Sequence, residues 1–432
     1  MLQKLDYPAV GETHYRETLP SGLRLSVAVK PGYTRAFACF AALYGGADRS
    51  FLSGGVRHDT PMGVAHYLEH KMFDMPEGDN ALSALAANGA QPNAYTASGV
   101  TAYHFESTEN FMENLRMLLK FVSTPYFTEE TVEKERGIIA QEIRMGEDDP
   151  DHAVYEELMR SLYAHHPIRD PIAGTVESIA AITPEVLYTC HRSFYHPGNM
   201  ALAVVGDVDP AAVRETALEL LPAEGGAAAE RFYGPAEDDK PLRPRFSRAM
   251  EVSAPQFMIG AKLSPVPGGN ALLRRKILCS LALDYLYSQS SPFFHRLYAE
   301  GLLNADFYAG ADDAANTMTL FAGGESRDPE AVLAAFLAEA DKAANGAFDS
   351  AYFRRVKKAG YGSRVRALSS FAGLAGSLAD ADFGGYNCLD AFSTLSDISE
   401  EEVCAFIREF FAPERFAMSV VTPAHGAEAG HA

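Results

Sequence analysis

A chain of 432 residues with 47% hydrophobic and 22% charged residues has the make-up of a globular protein and the length of two domains, which excludes a disordered tract, a collagen-like repeat and a disulfide-packed scaffold. A formal charge of −20 argues against nucleic acid as a partner, because phosphate binding needs clustered Lys and Arg. Five scattered cysteines, Cys39, Cys190, Cys279, Cys388 and Cys404, read as reduced, mostly buried thiols; with no leader pattern and no apolar run of ~18 residues, the expectation is a cytoplasmic chain that does not cross a membrane.

In chain order, segments 23–29 and 36–44 predict strands, and 63–73 predicts a largely apolar helix. Tyr95 and the segment 100–105 read as strand pieces. Segment 108–122 has Phe111, Leu115, Leu118 and Leu119 at helical spacing, and Thr128 can N-cap a long helix whose first turn carries Glu129 and Glu130. The stretch 194–205 returns at 410–421, an offset of 216 residues in a chain of 432, so the sequence reads as a duplicated unit, each copy closing with a helix, a Pro-containing turn and a buried strand. Segment 223–244 has the composition of a linker, dividing an N-terminal domain (1–222) from a homologous C-terminal one (245–432). In the second copy, 256–263, 305–310 and 318–322 predict strands, and 271–287 and 329–344 predict helices. The fold class is therefore α+β: two homologous sandwich domains, each an antiparallel-rich sheet covered by helices.

The chemistry is concentrated in His66-Tyr67-Leu68-Glu69-His70. On a helix of ~3.6 residues per turn, His66 and His70 stand one turn apart on one face, and Glu69 lies beside them. Two imidazoles and an acid on an apolar helix need a partner, and a metal ion supplies one. A catalytic zinc site takes three protein ligands and leaves one position open, so a third ligand is required. The best candidate is Glu142, with Glu135 seven residues earlier on the same helix face as acceptor for a ligand histidine's other N–H, while Ile138 and Ile139 pack inward. Glu69 is then the base that takes the proton of the attacking water. The second copy has no such motif, and its His295 reads as a packing or hydrogen-bonding residue, so one zinc per chain is expected.

With that motif, its continuation Lys71-Met72-Phe73 and the later Glu142, the chain resembles the pitrilysin/insulinase family of inverted zinc metallopeptidases, and its length resembles the short bacterial branch. The resemblance runs from end to end, through Asn93-Ala94-Tyr95-Thr96, Thr101, Tyr103, His166-Pro167, Gly174, Tyr195-His196-Pro197-Gly198-Asn199-Met200 and Gly206-Asp207. It implies a processing-peptidase-like fold, endopeptidase activity on peptides, metal ligation by His66, His70 and Glu142, catalysis by Glu69, support from Glu135, and substrate pairing along an edge strand at Asn93 and Ala94. Members of the family draw an Arg and a Tyr from a C-terminal-type domain to hold the scissile carbonyl. Tyr308 is available here, but no Arg occurs from Phe307 to Ser326. The resemblance thus implies a homodimer or a heterodimer with a homologous subunit, and its alternative is a non-catalytic or partner-dependent subunit of a peptidase-like complex.

Overall fold

Segments Ala36–Ala42 and Met200–Gly206 are buried at every position, as continuous apolar runs require of strands covered on both faces. In the computed structural model, which describes residues 1–78, 80–346 and 348–424, these two strands pair antiparallel inside a seven-stranded sheet. In chain order the strands of this half are β1 (Gln3–Tyr7), β2 (Glu12–Thr18), β3 (Arg24–Val29), β4 (Ala36–Ala42), β5 (Ser50–Ser53), β6 (Val56–Asp59), β7 (Ala90–Thr96), β8 (Thr101–Ser107), β9 (Met200–Gly206) and β10 (Glu230–Arg231). The large sheet runs β1-β2-β3-β9-β4-β8-β7, and β10-β5-β6 form a small one. Within the large sheet β3 and β9 are parallel and every other pair is antiparallel.

The remaining strands, β11 (Arg245–Met250), β12 (Gln256–Leu263), β13 (Tyr308–Ala314), β14 (Thr317–Glu325) and β15 (Phe416–Pro423), form a second sheet in the order β11-β15-β12-β14-β13. Only its β11/β15 pair is parallel. This repeats the β3-β9-β4-β8-β7 succession strand for strand, with β9 and β15 carrying the repeat seen in the sequence. The helices are α1 (Val64–Lys71), α2 (Ala81–Ala87), α3 (Phe111–Ser123), α4 (Glu129–Glu147), α5 (Pro150–Leu162), α6 (Val176–Ile179), α7 (Pro184–Phe194), α8 (Pro210–Leu220), α9 (Asn270–Tyr287), α10 (Pro292–Ala299), α11 (Pro329–Ala344), α12 (Ser350–Ala367), α13 (Phe371–Gly384), α14 (Ala391–Asp397) and α15 (Glu400–Phe410). The class is α+β, two mixed sheets covered by helices.

Two compact units result. The first takes residues 1–143, 171–233 and 364–389; the second takes 144–170, 234–363 and the described residues from 390 onward. Each includes a helix from the other half of the sequence. In the second unit α5 lies on β12 and β15, where Val154, Leu158, Met159 and Leu162 pack with Met258, Ala417 and Val421. In the first unit α13 lies on β4 and β9. Leu115, Leu118 and Leu119 of α3 are fully buried in the first unit's main core, which also holds Phe105, Leu202 and Val204, and burying each such side chain contributes about 1.5–3 kcal/mol.

The strand at 256–263 and the helix at 329–344 form as the sequence predicts, and Thr128 Oγ1 accepts the Thr131 N–H at 3.2 Å, capping α4. Two expectations are corrected. The strand expected at 305–310 is Tyr308–Ala314, because Asp313, which discourages a strand reading, is neutralised by Lys276 of α9 at 2.6 Å. Ile138 does not pack inward: it is 49% exposed, because the buried stripe of α4 is the narrower set Val132, Ile139, Ala140 and Ile143. The cysteines are all free, three buried and two partly so. No helix among the described residues is long and apolar enough to cross a membrane.

Candidate metal centre

Helix α1 starts at a backbone crossing that admits only glycine. Gly63 has φ 92°, and a Cβ there would lie 2.5 Å from the Ala173 carbonyl oxygen; Gly174 (φ 79°) meets the Met62 carbonyl in the same way at 2.6 Å. Ser178 Oγ donates to that Met62 carbonyl at 2.8 Å, tying the entrance of α1 to the α6 turn. From this fixed start Val64, Ala65, Tyr67 and Leu68 turn into the core, which leaves His66 and His70 on the face toward α4.

The two imidazoles, with ring centroids 4.6 Å apart, converge on one carboxylate. His66 Nε2 lies 3.4 Å from Glu142 Oε1, and His70 Nε2 lies 3.6 Å from Glu142 Oε2. His70 Nδ1 is 2.9 Å from Glu135 Oε1, so Glu135 accepts the Nδ1–H of a neutral ring and leaves the Nε2 lone pair directed at the site. His66 lacks such support: its Nδ1 is buried with no hydrogen-bond partner among the described residues. Glu69, 8% exposed, turns toward β7, where Thr96 Oγ1 donates to its Oε2 at 2.7 Å.

The charges form a well that favours cations. Burial pulls the His70 pKa down, but the Glu135 hydrogen bond and the charges of Glu135, Glu69 and Glu142 outweigh it and hold the group above its usual value. The His70 hydrogen bond holds the Glu135 carboxyl below the usual carboxylate range, against partial burial, and Lys71 assists. Contact with His66 does the same for Glu142.

His66, His70 and Glu142 each offer a ligand atom within 4.8 Å of the others. Two ligands bound at ~2.1 Å on tetrahedral angles stand about 3.4 Å apart, so the 3.4 and 3.6 Å separations between nitrogen and carboxylate oxygen fit one small divalent ion. Two nitrogens and one oxygen, with no thiolate, make the donor set of an open rather than a closed zinc site. No second such group occurs among the described residues, and His295 is exposed on α10.

Of the remaining residues singled out in the sequence, Asn93 and Ala94 lie on β7, the edge strand beyond β8. Asn93 is exposed, and its Oδ1 accepts the Ala94 N–H at 2.9 Å. Tyr308 lies on β13, an edge of the second sheet, and is 45% exposed. The sequence reading assigned no role to Thr96. Its only signal there is its place in the run Asn93-Ala94-Tyr95-Thr96 that carries the resemblance.

Comparison with known proteins identifies the family. The profile described as "Insulinase (Peptidase family M16)" matches residues 51–176, and "Peptidase M16 inactive domain" matches 181–359. A Bacillus subtilis protein named "Uncharacterized zinc protease YmfH" is 34% identical over 431 residues, covering 98% of this chain and 100% of that one. The chain belongs to the M16 peptidase family. A second Bacillus subtilis member, "Uncharacterized zinc protease YmxG", is 30% identical over 176 residues, or 38% of this chain and 42% of its own. Among solved structures, a putative M16-like peptidase from Alicyclobacillus acidocaldarius superimposes with a TM-score of 0.91 at 32% identity, covering 97% of this chain and 99% of the other. Pitrilysin shares the fold at a TM-score of 0.77 and 15% identity, with 98% of this chain matching 46% of pitrilysin.

Proposed function

We propose that this M16 member is a zinc-dependent endopeptidase in which His66, His70 and Glu142 hold the metal and Glu69 handles the proton of an attacking water. The observation that carries the reading is the convergence of both Nε2 atoms on one carboxylate, with a buried second carboxylate beside them. When bound there, zinc supplies Lewis acidity, lowering the pKa of a water toward ~7 and polarising a peptide carbonyl. The chain's own groups do the rest. Glu69 takes the water's proton on Oε1 while Thr96 holds Oε2, then returns it to the leaving amine nitrogen. Glu135 fixes the His70 tautomer. An extended peptide adds to the free edge of β7, where its backbone replaces the Asn93 side chain on the Ala94 N–H; main-chain pairing of this kind tolerates varied side chains.

The reading includes a second, homologous subunit, identical or not. No Arg lies between Phe307 and Ser326 to accompany Tyr308, so a group that positions the scissile carbonyl has to come from elsewhere. The test is zinc content by mass spectrometry together with hydrolysis of a quenched fluorescent peptide, for wild type, Glu69→Gln and His70→Ala, each with and without a homologous partner. Zinc in wild type and Glu69→Gln but not in His70→Ala, with turnover in wild type alone, supports the peptidase. Zinc without turnover under every pairing favours a non-catalytic subunit. No zinc under metal-replete conditions refutes the metal site.

A further inference from the structure

Tyr67 and Lys71 stand one turn apart on α1, 0% and 1% exposed, and neither offers a ligand to the site. The Tyr67 hydroxyl donates to the Val132 carbonyl. The Lys71 ammonium donates to the Thr131 carbonyl at 3.1 Å and pairs with Asp74. These two carbonyls are consecutive in the first turn of α4, so two side chains of the metal helix grip the start of the helix that brings the carboxylates. A buried ammonium is unfavourable unless paired and hydrogen-bonded, and an apolar side chain of similar length fills the same space more simply; packing alone does not call for a lysine here.

From His66 through His70 to Lys71 the contacts step back along α4, from Glu142 through Glu135 to Thr131. The chain thus runs along α4 against the direction of α1 over these three contacts, and the longer Tyr67 side chain reaches Val132 at the same end of α4 as Lys71. Glu142 is ten residues beyond Val132, or about 15 Å along the helix, and a slip of one residue moves its carboxylate by about 1.5 Å and turns it by roughly 100°. Metal–ligand distances tolerate only about 0.2 Å. We infer that Tyr67 and Lys71 are positioning residues that set the register of α4 against α1, and so place Glu142 at the two Nε2 atoms and Glu135 at His70. The inference rests on the metal-site reading above.

The test uses the intact chain. Tyr67→Phe removes one oxygen from a side chain that otherwise packs unchanged, and Lys71→Met keeps the length and removes the charge. Zinc affinity is measured by chelator competition, ligand geometry by the visible absorption of the cobalt-loaded protein, and folding by the thermal midpoint of the metal-free protein. Each variant is expected to bind zinc about 10- to 100-fold more weakly, as loss of groups that orient ligands does, with an altered cobalt spectrum. Wild-type affinity and an unchanged cobalt spectrum in folded Tyr67→Phe and Lys71→Met, whatever happens to the thermal midpoint, overturn the inference; if Lys71→Met does not fold, Tyr67→Phe decides alone. Failure of the underlying reading looks different: wild type binds no zinc, or His70→Ala retains it, and the inference falls with the site.

Discussion

Helix α7 starts at Pro184 and helix α15 at Glu400, 216 residues apart, and each leads into the matching strand, β9 or β15. Position for position, the first unit has His191 where the second has Ile407, and Tyr195 where the second has Phe411. The helices that bear on the candidate metal centre diverge further. Between β12 and β13, where the first unit has α1 and α2 between β4 and β7, the second has α9, which contains no histidine, and α10, whose one histidine, His295, is exposed. Following α11, as α4 follows α3, the second has α12, with Arg354, Arg355, Lys357 and Lys358 and no carboxylate; α4 carries Glu135 and Glu142. One topology thus supports a cation well in one unit and a basic and apolar pair of helices in the other, and the difference comes from a handful of side chains on common scaffolding.

The sharpest way to break the contrast is to make the first unit resemble the second at the centre. His70→Ala is expected to abolish metal binding and peptide hydrolysis together. Glu69→Gln is expected to keep the metal and lower kcat by at least ~100-fold, the low end for loss of a general base; metal analysis beside a turnover assay separates the two. Glu135→Ala is a milder step. It leaves the three ligands in place but frees the His70 ring, and zinc affinity by chelator competition is expected to fall about 10- to 100-fold. Smaller again is Thr96→Val, which removes a 2.7 Å hydrogen bond to Glu69. A hydrogen bond to a charged group contributes about 1.5–3 kcal/mol, or roughly 10- to 100-fold, and since Glu69 keeps its place on α1 the lower figure is expected, in kcat rather than in metal content.

Much of this candidate centre is legible in the sequence, because its key spacing is local. His66 and His70 are four apart on one helix, so their convergence follows from helical geometry alone. Glu142 required a second helix to be placed against the first, which spacing suggests but does not determine. Thr96 was out of reach, since its contact with Glu69 joins a strand to a helix across the fold. The duplicated sheets were legible through the repeat at β9 and β15, whereas β1 (QKLDY) and β2 (ETHYRET) are too polar to show a strand's alternation. Ile138 was misread because apolar character was equated with burial; it sits three residues after Glu135 and four before Glu142, exposed on the side of α4 that carries both acids.

The remaining expected effect, on stability rather than on metal content or turnover, tests the pairing of His191 with Ile407. His191 is buried at 6% exposure; its Nε2 donates to the Val122 carbonyl at 3.1 Å, and its ring stacks on Tyr195 at 4.9 Å. Burial pushes its pKa down to about 4, with Arg192 adding to the effect and the Val122 hydrogen bond opposing it. A histidine lowered on folding leaves stability intact above its unfolded value near 6.5, and stability is lost as pH falls from there toward 4, because the unfolded chain takes up the proton first. At pH 5 the loss amounts to about 2 kcal/mol for one such group. His14, also held near 4 by burial, adds a comparable loss, and burial lowers His104 and His196 as well, so His191→Ile is expected to remove part of the acid sensitivity rather than all of it. At pH 7.5 the same change leaves the Val122 carbonyl without its donor, at about 1 kcal/mol, partly offset by the buried isoleucine. Hydrogen–deuterium exchange of α7 and β9 at pH 7.5 and 5 reads the first unit separately: protection should fall less in His191→Ile than in wild type. An equal fall in both would mean that His191 takes up its proton in the folded state, and that its difference from Ile407 has no bearing on the first unit's response to acid.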